Sequence, residues 1–130
     1  MKILGVDYGR KKIGLALAEG PLAEPFLVVR GKSPEELKRK VAQIVEKEAI
    51  DKIVMGISEG EMAKETKIFG ESLKRKLNIP LEFFDETLTS QDATHLSILA
   101  GVKRQKRKSF EDAYAASLML QSYLERSQNV

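Results

Sequence analysis

Ile3-Leu4-Gly5-Val6 is a short apolar run that ends in Asp7, and the polar stretch Tyr8-Gly9-Arg10-Lys11-Lys12 separates it from a second run over residues 13–18. Runs of this length bounded by turn residues predict strands, and so short a link predicts an antiparallel pair. The second run is apolar at consecutive positions, as expected of a strand covered on both faces. Glu19-Gly20-Pro21 marks the next turn, and Pro25-Phe26-Leu27-Val28-Val29 reads as a third strand of one meander.

The period then changes. Ser33-Pro34-Glu35-Glu36 predicts a helix start: Ser33 can cap, Pro34 suits the first helical position, and Glu36 completes a capping box. Leu37, Val41, Ile44, Val45 and Ala49 follow on one helical face, with Glu35–Arg39 and Glu36–Lys40 pairs on the outside. Residues 52–57 form the fourth strand, too short and too β-branched for a helix. Met62, Thr66, Phe69, Leu73 and Leu77 define a helix over about 61–77 that stops at Asn78. Leu81-Glu82-Phe83-Phe84 is the fifth strand and ends in Asp85-Glu86. A helix over about 89–100 is closed by Gly101, and a last one runs over about 109–125.

The expected order is β-β-β-α-β-α-β-α-α. Alternation of strand and helix in the second half requires crossovers, hence parallel pairing. An α/β domain follows, a mixed five-stranded sheet with helices on both faces. No repeat or linker interrupts it, so residues 1–130 are expected to form a single domain with a frayed tail over about 127–130.

Composition narrows the chemistry. The chain has no Cys and one His, His95, which on a predicted helix reads as structural. Thiol chemistry and Cys-bound zinc are excluded, and acid, base or metal chemistry must rest on carboxylates, lysines and water. No apolar run approaches the roughly 20 residues of a membrane span, and Asp7 interrupts the start too early for a signal peptide. A cytoplasmic protein without membrane association is expected. The net charge is only +3, yet eight of the 22 cations fall in two clusters free of acids. These are Arg10, Lys11 and Lys12, and the run Lys103, Arg104, Lys106, Arg107 and Lys108. Such clusters favour an anionic partner.

Ligands of sheets with parallel strands collect outside the carboxyl ends of those strands. Asp7 and the Asp85-Glu86 pair fall there, and Glu111-Asp112 opens the final helix. Gathered carboxylates repel unless a cation offsets them, and hard oxygen ligands select Mg²⁺ or Mn²⁺. Such ions activate water and stabilise the leaving oxygen in phosphodiester cleavage. The basic clusters flank these acids and would hold a phosphate backbone. Taken singly, each residue has a plainer reading: Asp7 as a turn acid before Gly9, Asp85 as a strand-end residue, Asp112 as part of a capping box begun by Ser109, and 103–108 as a solvated loop.

Three blocks occur in order: Leu4-Gly5-Val6-Asp7-Tyr8-Gly9 with Ile13-Gly14-Leu15-Ala16; Asp85-Glu86-Thr87-Leu88-Thr89-Ser90; and Asp112-Ala113-Tyr114-Ala115-Ala116 through Leu120-Gln121-Ser122-Tyr123-Leu124. Together they resemble the YqgF (RuvX) family over nearly the whole chain. The resemblance implies a ribonuclease H-like fold and metal-dependent phosphodiester hydrolysis. Its members are described as nucleases that mature the small-subunit ribosomal RNA precursor, or as Holliday-junction resolvases. Carried over by position, the metal-binding acids are Asp7, one of Asp85 and Glu86 with Glu86 favoured, and Asp112. Two departures stand out. Thr87 stands where the family has an arginine, and Gly56-Ile57-Ser58 replaces a Gly-Leu-Pro, with Glu59 and Glu61 as extra acids beside it.

The expected protein is therefore a metal-dependent hydrolase of an rRNA precursor or branched DNA, a monomer or a homodimer, with water as nucleophile. A non-cleaving nucleic-acid-binding module is the competing expectation. An actin- or sugar-kinase-like ATPase would need a second domain, for which 130 residues leave no room.

Overall fold

The computed structural model describes residues 1–57, 60–85 and 111–128. Strands β1 (Ile3–Asp7), β2 (Lys12–Ala18) and β3 (Ala23–Arg30) precede helix α1 (Pro34–Lys47). Then come β4 (Lys52–Ile57), α2 (Glu61–Lys76), β5 (Leu81–Asp85) and α3 (Glu111–Gln128). The five strands form one sheet in the order β3-β2-β1-β4-β5. β1 and β2 pair antiparallel, as do β2 and β3, whereas β1–β4 and β4–β5 are parallel. This is the mixed α/β sheet expected from the alternation of elements. The expected helix over 89–100, His95, Ser109 and the basic run over 103–108 lie outside the described residues.

Strand alternation sends the apolar side chains to two unequal cores. Leu4, Val6, Ile13, Leu15 and Met55 meet Leu37, Val41, Phe69 and Leu73 of α1 and α2. The opposite face carries Ile3, Ala16, Ala18 and Val54 against Ala116, Met119, Leu120 and Leu124 of α3. The run over 13–18 thus fills both cores, large residues on one side and small ones on the other. Small residues let α3 lie close. At Gly5 an added Cβ would meet Leu120 Cβ at 3.0 Å.

Three local features fix the helices. Glu36 N–H donates to Ser33 Oγ at 3.2 Å, and Glu36 Oε2 accepts from the N–H of Lys32, one residue before the cap, at 2.6 Å. Outside, Glu36 meets Lys40 at 3.9 Å, but Glu35 meets Lys38 at 3.3 Å rather than Arg39. α1 ends earlier than its apolar pattern: Ala49 lies beyond the helix at φ 54°. Ala49 N–H donates to Glu46 O and Ile50 N–H to Val45 O, the paired bonds of a Schellman cap. α2 ends at Lys76, with Leu77 already extended as its cap. α3 continues to Gln128, into the stretch expected to fray, with Arg126 over the Phe84 ring.

A left-handed alanine costs about 1–2 kcal/mol, of which glycine would return part after its own entropy loss. Ala49→Gly is therefore expected to stabilise the protein by about 0.5–1 kcal/mol, read as a raised midpoint in urea. An unchanged or lowered midpoint would contradict the strain.

α3 is also tied to both edges of the sheet. Gln121 Oε1 accepts from Ala23 N–H at 2.8 Å and its Nε2 donates to Pro21 O at 3.0 Å. Tyr123 OH donates to Glu82 Oε2 at 2.6 Å, while Lys52 Nζ bridges the same oxygen at 2.8 Å. The Lys52 ammonium and then the Tyr123 hydroxyl hold the Glu82 carboxyl below the usual carboxylate range.

Candidate nuclease centre

Asp7 closes β1 at the carboxyl end of the parallel part of the sheet, half-buried and directly across from Gly14 of β2. Residues opposite each other in an antiparallel pair share a face, so Asp7 and Gly14 both look toward α3. The start of α3 rests on that spot. A Cβ built at Gly14 would fall 2.0 Å from the carbonyl oxygen of Asp112 and 2.2 Å from its carbonyl carbon. Only glycine leaves room there. The missing side chain lets the backbone of Asp112 lie against the strand partner of Asp7, a residue 105 positions earlier in the sequence.

Asp112 also lies in the first turn of α3 with Glu111, where the exposed amides and the helix dipole favour negative charge. Lys12 stands two residues before Gly14 on the same strand face, and its Nζ meets Asp112 Oδ2 at 3.0 Å. The corner therefore holds carboxylate oxygens, the donors a hard divalent cation takes, and one ammonium that competes with such a cation for them. Among the described residues no three His, Cys, Asp or Glu side chains gather into a metal-holding group. Glu86, the third acid expected from the sequence, lies outside the described residues, as does Glu59.

Asp85 is the last residue of β5 and pairs with Ile57 of β4. Phe83 packs in the α1/α2 core and Phe84 beside α3. Alternation then puts Asp85 on the face of Phe83, opposite to Asp7, and two strand spacings away from β1, about 10 Å. The structure places Asp7 and the backbone of Asp112 on either side of Gly14, and Asp85 on the other face of the sheet.

The first basic cluster is likewise divided. Arg10 turns to α2, where its Nε and Nη2 donate to the Glu65 carboxylate, the shortest contact being 2.6 Å. The Arg10 guanidinium holds Glu65 below the usual carboxylate range. Glu61 opens α2 on the same side and adds to the field at Arg10. Lys11 is exposed, and Lys12 is turned to Asp112. Tyr8 packs on Phe69 with ring centroids 4.7 Å apart, and burial pushes its hydroxyl pKa up. It borders a cavity of about 180 Å³ between α1 and α2, which no local sequence signal foreshadows. The second basic cluster, Lys103, Arg104, Lys106, Arg107 and Lys108, lies outside the described residues.

The sheet matches that of solved structures. RuvC of Thermus thermophilus, solved with a Holliday junction substrate, superposes with a TM-score of 0.69 at 14% identity, covering 98% of this chain and 96% of RuvC. The fowlpox virus Holliday junction resolvase gives 0.64 at 14% identity, covering 97% and 99%. At such identity the likeness shows the fold, a RuvC-like ribonuclease H fold. Sequence kinship goes further. A protein of Agathobacter rectalis named "Putative pre-16S rRNA nuclease" is 37% identical over 99% of this chain and 98% of its own length. A relative of the same name from Syntrophus aciditrophicus is 38% identical over 96% of this chain and 89% of its own. This kinship defines a hydrolase of the nuclease class. The profile of RuvX, described as Holliday junction resolvase, matches residues 1–126, and the chain belongs to that family.

Proposed function

We propose that this chain is a divalent-metal-dependent nuclease that trims the 16S ribosomal RNA precursor at its 5′ end. The observation that carries the reading is the approach of Asp112 to Asp7 over Gly14. Two carboxylates so placed, with a third from Glu86, would hold Mg²⁺ or Mn²⁺. Asp85 faces away from Asp7, which favours Glu86 as the third acid. When bound, the metal supplies an activated water and charge neutralisation for the leaving oxygen.

The chain's own residues do the rest. Asp7 and Asp112 fix the position of attack from one rigid strand and one rigid helix, so little is lost in ordering them. Lys11, Lys12 and the cluster at 103, 104 and 106–108 neutralise phosphates and set the register of the backbone. Arg10 keeps Nη1 donors beyond those taken by Glu65 and can add a phosphate contact. The whole of 1–130 acts as one nuclease domain, working in the cytoplasm. RNA trimming needs one copy of the site, and a monomer suffices.

The names of the relatives support the rRNA substrate. The family description and the RuvC complex favour a second reading, a resolvase of branched DNA, for which a homodimer would supply paired sites. Purified protein should be given a 16S precursor and a four-way DNA junction side by side, with Mn²⁺ or with EDTA. Cleavage of the precursor only, abolished by EDTA, is the expected result. Symmetric cutting of the junction would establish the second reading. Salt-sensitive binding of either substrate without cleavage in any metal would make the protein a binding module and end the nuclease mechanism.

A further inference from the structure

Lys12 makes a contact that phosphate binding does not require: its ammonium holds Asp112 Oδ2 at 3.0 Å. The fold builds this pair. β2 carries Lys12 on the face of Gly14, and Gly14 sets how closely the first turn of α3 lies over it. The two side chains are 50% and 33% exposed, so the pair can open to water without leaving a buried charge behind. Glu111 shares the helix turn, Arg30 is the cross-strand neighbour of Lys12, and Asp7 lies opposite Gly14.

We propose that Lys12 is a displaceable counter-ion for Asp112. A divalent cation entering between Asp7 and Asp112 has to take Oδ2 from the Lys12 ammonium. The ammonium, once released, remains on the rim of the site, where the phosphate of a nucleic-acid strand is its next partner. Lys12 thus weakens metal binding by the chain alone and gives back that cost when a phosphate backbone arrives. Metal and nucleic acid become coupled, each raising the affinity for the other. A lysine suits this role because its compact charge sits on a flexible stem and can swing between partners. The inference rests on Asp7 and Asp112 being metal ligands, and its test separates the two ideas.

Mn²⁺ is titrated calorimetrically at low salt into the full chain carrying Lys12→Gln, Lys12→Arg or Lys11→Gln, and into the wild type. Lys12→Gln is expected to bind Mn²⁺ about two- to fivefold more tightly, the worth of an exposed ion pair. The gain should shrink in high salt. Lys12→Arg should restore the wild-type affinity. Lys11→Gln, which removes the same charge from the same turn without touching Asp112, should change it less than Lys12→Gln does. Equal or weaker binding by Lys12→Gln, in a wild type that does bind Mn²⁺, overturns the counter-ion role alone. A wild type that binds no Mn²⁺ removes the metal reading and the counter-ion with it.

Discussion

Asp7→Asn is expected to lower cleavage by at least about a hundredfold while leaving the fold intact. Outer-shell changes around metal sites already cost about 10–100-fold, and Asp7 would touch the metal itself. Asparagine keeps the shape of the side chain at the end of β1, so the pairing with Gly14 is undisturbed. Its melting temperature should therefore stay close to that of the wild type. The measurement is cleavage of the preferred substrate at saturating Mn²⁺, with melting followed in parallel. Undiminished cleavage by a clean preparation would take Asp7 out of the mechanism.

The second large effect is expected from a methyl group. In Gly14→Ala the new Cβ would lie 2.0 Å from the Asp112 carbonyl oxygen and 2.9 Å from the Ala113 nitrogen. Both are backbone atoms of regular elements, so no flexible side chain can give way. α3 has to move by about 1 Å or more, and a misplacement of that size costs about a hundredfold in rate. Overpacking also costs about 1–3 kcal/mol of stability. Activity and the midpoint of chemical unfolding should both fall. Full activity in this variant would mean that the close approach does not position Asp112.

Why that glycine was not legible follows from distance along the chain. Gly14 counted as one more apolar residue in a covered strand, and its role depends on a helix that starts nearly a hundred positions later. Arg10 is similar. Three successive cations read as one phosphate-facing rim, yet Glu65, 55 residues away, draws Arg10 toward α2 while strand alternation aims Lys12 at Asp112. The acids after β5 could not be separated by type. The register of β5 against β4 shows which face Asp85 occupies.

Local chemistry was more readable. Ser33, Pro34 and Glu36 announced the start of α1, and Glu36 differs from expectation only in reaching Lys32 rather than the cap residue itself. The end of α1 left no mark, because Ala49 does what glycine or asparagine normally signals. Apolar runs with short or long connections sufficed for the antiparallel meander and the parallel half of the sheet.

The lopsided sheet has a consequence during synthesis. All five strands leave the ribosome before α3, and until α3 docks, the side of the sheet that it covers lacks that partner. That side mixes the small residues Gly5, Gly14, Ala16 and Ala18 with Ile3, Val54 and Phe84, whereas the larger share of bulky residues points to α1 and α2, which are made earlier. A nascent chain waiting for its final helix therefore still has Ile3, Val54 and Phe84 to bury, and docking of α3 is the step that hides them. It also lacks Asp112, so under the proposed mechanism cleavage would begin only once that helix closes over Gly14.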